Sequence, residues 1–202
     1  THRRLHAKWF ASMELPTHRR IVVGSDFNYP PFDYLDENGR PTGYTVELTR
    51  AIARKLGLDV EIRLRPWSEI RRGLERGEID VVQGMLYSPY RDAVFDFTQP
   101  HTVIHYVGVG RKGGPPPPES IEDLKGRKII VQHDDIIHDL VVEQGLGDSV
   151  ATVESQEDAL RELSEGRHDC AVVTRLAVAY WMEKRGWTNL VVGARPLLSS
   201  GY

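Results

Sequence analysis

The feature that most constrains this chain is a repeated exchange between short apolar runs and segments of helical period. Ile21-Val22-Val23-Gly24, Val60-Glu61-Ile62-Arg63-Leu64, Ile79-Asp80-Val81-Val82, Ile129-Ile130-Val131, residues 169–173 and Leu190-Val191-Val192 read as strands. Between them, Val46, Ile52, Ala53 and Leu56 supply the buried face of a helix that starts at Gly43-Tyr44 and stops near Gly57. Ile70 and Leu74 mark a second helix after Pro66-Trp67-Ser68, and Ser155-Gln156-Glu157-Asp158 opens a third that ends at Gly166. Residues 176–185 form another. Strands separated by helices cannot pair as hairpins, so the expectation is an α/β protein of parallel sheets in three layers.

With 202 residues, 40% hydrophobic and 27% charged, the chain can bury one large core or two small ones and is too apolar for disorder. A net charge of -3 argues against a nucleic-acid partner, whose phosphates demand a basic face. His2-Arg3-Arg4 recurs as His18-Arg19-Arg20, which reads as a few solvated charges. No run approaches the roughly 20 apolar residues of a membrane span. No leader is recognisable either, so an excised or processed segment is expected. Cys170 excludes an internal disulfide and, in a strand, reads as an inert core thiol. Gly108-Val109-Gly110-Arg111-Lys112-Gly113 matches G-x-G-x-x-G, yet prolines 115–118 stand where the helix of a dinucleotide site must begin. No cofactor is expected.

Residues 84–101 carry the sharpest signal. Gly84 lets backbone approach another group closely, and seven residues later Arg91 offers a planar fork of donors suited to a carboxylate. Phe95-Asp96-Phe97-Thr98-Gln99 then alternates like a strand and stops at Pro100. Strand, glycine loop, arginine and proline-ended strand together resemble the bacterial extracellular solute-binding family, in its amino-acid-binding branch. The resemblance covers roughly residues 20–202. It implies a periplasmic-binding-protein-like type II fold of two three-layer α/β/α lobes joined by a hinge, with the C-terminal elements of lobe one missing. Residues 18–103 would form lobe one, 104–195 lobe two and 196–202 a truncated return hinge. Leu5, Trp9, Phe10 and Met13 suggest an amphipathic helix within residues 1–17. It is either the tail of an upstream repeat or a replacement for the missing last helix of lobe one.

The resemblance also implies a site. Asp26 and Tyr29, after the first strand, map onto cleft positions, and Trp67 onto an aromatic that stacks on ligand; covering the sheet end is the plainer role for Tyr29 and core packing for Trp67. Gly84 and Arg91 map onto the carboxylate clamp, against the plainer reading of a locally paired arginine. Three positions depart from it. Leu86 stands where a hydroxyl donor is usual, Asp135 where glycine and hydroxyl residues complete the clamp, and Thr174 where an aspartate meets the α-ammonium. An acidic residue at a helix start repels an anion, so a cationic or hydroxylated group, or an ordered cation, suits Asp135 better. His133, His138 and Asp139 nearby invite a metal, but without repeated ligand spacing no metal is expected.

The resemblance therefore implies a domain that closes on a small polar, amino-acid-like solute and catalyses nothing. The motifs at 84–91 and 131–139 resemble the variant found in sensor histidine kinases, which implies a periplasmic or extracytoplasmic domain tethered to the inner membrane. Its partners would be the solute, a membrane-anchored signalling module, and a tandem repeat or dimer mate. An ABC-transporter binding subunit and a small periplasmic dehydratase are the alternatives.

Overall fold

The computed structural model describes residues 20–202. The predicted N-terminal helix lies outside the described residues. Lobe one is built on a three-stranded parallel sheet in which β1 (Ile21–Asp26) lies between β5 (Val60–Arg65) and β6 (Val81–Val82). A small antiparallel sheet of β2 (Asn28–Tyr29), β3 (Asp33–Leu35) and β4 (Pro41–Thr42) caps its carboxyl end. Its helices are α1 (Tyr44–Leu56), α2 (Trp67–Glu75) and the single turn α3 (Pro89–Asp92).

Lobe two is a five-stranded sheet in the order β11-β7-β10-β8-β9, formed by β7 (Val103–Arg111), β8 (Ile129–Gln132), β9 (Val150–Val153), β10 (Cys170–Thr174) and β11 (Leu190–Gly201). Helices α4 (Ile136–Glu143), α5 (Gln156–Ser164) and α6 (Arg175–Arg185) flank it. Its core is dry: Ile129, Ile130 and Val131 of β8 and Cys170 to Val173 of β10 are fully buried. Burial, against a smaller pull from Arg127, pushes the Cys170 thiol up to about 11, so it is the inert core group expected.

The expectation of parallel sheets throughout is corrected here. The lobe-two sheet is mixed, because β7 runs antiparallel to both β10 and β11. The chain enters the lobe along β7 and leaves along β11, which returns Gly201 beside Val103 at the hinge. Pro196 is tolerated within β11 because that strand is the sheet edge, where a missing N–H breaks no ladder. Pro115 to Pro118 fold over β7, and a side chain on Gly108 would overlap Pro118. Close packing, not phosphate, accounts for that glycine.

Two local expectations in lobe one also fail. Phe95 and Phe97 do alternate in burial with Asp96 and Thr98, but residues 93–100 form no strand. Their rings lie against the small cluster of Trp67, Ile70, Ile79 and Met85, with no neighbouring strand to ladder with among the described residues. On α1, Val46 and Ala53 are buried while Ile52 and Leu56 are exposed. The inward stripe is completed by Thr45, whose hydroxyl donates to Phe32 O before the helix, and Thr49, whose hydroxyl donates to Thr45 O one turn back, so neither needs solvent.

Candidate ligand-binding site

The carboxyl ends of β1 and β8 face each other, and the loops that follow them close on a cavity of about 30 Å³, room for roughly one or two water-sized groups. Seven of the eight residues expected at the site line it: Asp26, Tyr29, Trp67, Gly84, Leu86, Arg91 and Asp135. Thr174 does not. Its hydroxyl and its amide N–H both donate to Gln156 Oε1 at 2.9 Å, so the residue is consumed in joining β10 to α5.

Arg91 comes from lobe one, held by Ser88, whose hydroxyl caps α3 by accepting from the Arg91 amide at 3.2 Å. Its guanidinium points into the crevice and is 1% exposed. It meets the protein's own carboxylate: Nε donates to Asp139 Oδ2 at 2.9 Å and Nη2 pairs with the same oxygen at 2.8 Å. Arg71 of α2 holds the other side of that carboxylate, Nη1 to Asp139 Oδ1 at 3.0 Å. Neither Asp139 nor Arg71 was foreseen in this role.

A second cross-lobe anchor is a single backbone oxygen. Asp134 sits in the left-handed region at φ 59°, which turns its carbonyl toward lobe one. That oxygen accepts from Trp67 Nε1 at 2.7 Å, Arg71 Nη1 at 3.1 Å and Arg91 Nη2 at 3.1 Å. Trp67 also lies under the Arg91 guanidinium, 5.9 Å from the ring centre, so the aromatic face carries a side chain of the protein itself. Gln132 completes the bridge, donating Nε2 to Asp26 Oδ2 at 2.6 Å. Lobe-one residues Tyr29, Phe32 and Leu86 share one core cluster with Tyr106, Ile136 and Tyr202, so the crevice is shut.

The electrostatics are dominated by acids. Asp26, Asp33 and Asp135 are buried around one cavity. Burial pushes Asp26 up to about 6 against the pull of the Asn28 amide and Gln132, and pushes Asp135 up to about 7 against the His138 amide and Arg91. Burial also holds Asp33 well above the usual range, with Tyr202 donating to Oδ2 at 3.2 Å. Asp33 Oδ1 and Asp135 Oδ2 make no hydrogen bond. Gly84, at φ 94°, is required where it stands, since a side chain there would overlap the Tyr202 ring.

Ser25, Asp33, Tyr106, Gln132, Gln156 and Tyr202 line the cavity without having been foreseen, and Ile136 lines it beside Asp135. For Ser25 and Gln132 the signal was available, because Ser25 is the penultimate and Gln132 the last residue of a strand at the edge where such sheets bind ligands. His133, Asp134 and His138 bring potential ligand atoms within 4.8 Å of one another. These residues are not in the cavity wall, and His138 Nδ1 already accepts from the Asp134 amide at 3.1 Å.

Residues 21–169 match the family of bacterial extracellular solute-binding proteins, family 3. The chain is 42% identical to a histidine kinase sensor domain with similarity to periplasmic binding proteins, at a TM-score of 0.88, covering 93% of this chain and 82% of that one. It is 31% identical to holo ArgBP from T. maritima, at a TM-score of 0.79 and over 91% and 80% of the two chains. The L-cystine-binding protein TcyJ of Escherichia coli (strain K12) is 28% identical over 174 residues, which is 86% of this chain. The chain spans 65% of the length of that relative.

Proposed function

Because the chain belongs to family 3 of the bacterial extracellular solute-binding proteins, we propose that it is an extracytoplasmic sensor domain, one that closes on a small polar solute and passes its closure to a membrane-bound histidine kinase. The two-lobed fold supports closure, since a ligand touching both lobes binds the closed form better and shifts the population toward it. Residues 18–103 act as the first jaw, 104–195 as the second and 196–202 as the return hinge. Asp26, Tyr29, Trp67, Gly84, Leu86, Arg91 and Asp135 form the binding surface, and Thr174 supports it from behind through Gln156.

The observation that carries the sensor reading is the occupied clamp. Arg91, the group a transported amino acid would engage through its carboxylate, is paired inside the protein with Asp139. The likeness to a histidine kinase sensor domain, at 42% identity, points the same way. Thermal unfolding across a solute library, with scattering to follow compaction, tests the binding reading. Stabilisation without turnover supports it, and release of product from a small organic acid would replace it with the dehydratase reading, for which the raised carboxyls of Asp26 and Asp135 are the supporting feature. Ligand-dependent autophosphorylation of the membrane-borne parent decides between sensor and transporter subunit.

A further inference from the structure

We propose that the crevice selects a small organic cation that carries no free carboxylate, an alkylamine or amidine in place of an amino acid, because Asp139 of the protein already fills the carboxylate position on Arg91. The inference rests on the solute-binding reading and names the chemistry of the solute.

Every nitrogen of the Arg91 guanidinium group is engaged within the protein. Nε and Nη2 hold Asp139 Oδ2, Nη2 also reaches Asp134 O, and Nη1 donates to Leu86 O at 3.4 Å. An incoming carboxylate would have to displace Asp139, which Arg71 Nη1 grips at 3.0 Å, and would leave that acid without its buried partner. It would also enter a cavity walled by Asp26, Asp33 and Asp135.

The same wall suits a cation. Asp33 and Asp135 are at most 4% exposed, both line the cavity, and each presents one oxygen with no hydrogen bond, Asp33 Oδ1 and Asp135 Oδ2. Unmade hydrogen bonds in a dry site are costly, so these oxygens favour whatever brings donors. A primary ammonium brings three, and its charge offsets the desolvated carboxyls. A cavity of about 30 Å³ seats one small head group against these oxygens.

The test compares amino acids with their decarboxylated counterparts on the wild-type protein: L-arginine with agmatine, L-lysine with cadaverine, L-ornithine with putrescine, glycine with methylamine. At least one amine should raise the unfolding temperature by about 5 °C at a hundredfold excess over its Kd, while its amino acid leaves it unchanged. Asp135→Asn, which keeps the helix cap, should lose the amine shift. Asp139→Ala, which uncovers Arg91, should gain a shift with the amino acid. An amino acid that stabilises the wild type as well as its amine overturns the proposal, as does an undiminished amine shift in a folded Asp135→Asn. Stabilisation by a neutral sugar or a dicarboxylate with none from any amine overturns the cation assignment and leaves the solute-binding reading standing. No shift from any class removes both.

Discussion

Arg91 and Asp139, 48 residues apart in sequence and on opposite lobes, form an ion pair at 2.8 Å in which the guanidinium is buried and the carboxylate partly so. The protein therefore reaches its shut form with its own side chain as the bridging anion.

Breaking that pair from one side should be costly. Asp139→Ala leaves a guanidinium that is 1% exposed without its counter-ion, and should lower stability by about 3–5 kcal/mol. The double variant Arg91→Met with Asp139→Leu removes both charges and should recover most of the loss. Urea unfolding of the three proteins measures it, and equal stability of wild type and Asp139→Ala would contradict the pairing.

The buried acids give the free protein an unusual pH dependence. Asp26 faces Gln132, Glu154, Asp33 and Tyr29, and Asp135 faces Arg91, Asp139, Tyr106, Tyr29 and the His138 amide. Their carboxyls stand at about 6 and about 7 against an ordinary 3.8, so the folded form binds more protons than the unfolded chain in that interval. Stability from these two groups is fully present below about pH 4 and is lost as pH rises through 6 and 7, by about 1.4 kcal/mol per pH unit per group. Unfolding temperatures should fall between about pH 4 and pH 7 and level off above that. Asp26→Asn with Asp135→Asn should flatten the slope.

Trp67→Phe removes one of three donors to Asp134 O and keeps the ring under Arg91. It should cost about 1 kcal/mol and shift the lobes toward the parted form. Small-angle scattering reads this as a larger radius of gyration, and an unchanged radius with unchanged stability would show that the indole N–H contributes nothing to closure.

Gly84→Ala sets a side chain where the Tyr202 ring lies and forces a φ of 94° on a residue that resists it. Strain alone should cost about 1–3 kcal/mol, and displacing Tyr202 strips Asp33 of its donor. Tyr202→Phe is the companion variant. It removes the hydroxyl and keeps the ring, and should produce the smaller loss in thermal unfolding.

The strands β1, β5, β8 and β10 were legible because β-branched runs bounded by turns leave few alternatives, and α5 because Ser155 and Asp158 announce its start. Seven cavity residues were legible for a related reason, as each follows a strand at the sheet edge or matches a motif. What escaped is non-local. The alternation at Phe95 and Phe97 reports sidedness and says nothing of whether a neighbouring strand exists to pair with. The roles of Asp139 and Arg71 follow from closure itself, since 68 residues separate them and no local pattern marks either as a partner. Thr174 was misplaced for the same cause: Gln156, 18 residues earlier, takes its hydroxyl.

The Asp134 carbonyl concentrates contact between the lobes at one atom. Three donors from the opposite lobe converge on that oxygen, so a movement of this single peptide group loosens all three bonds together.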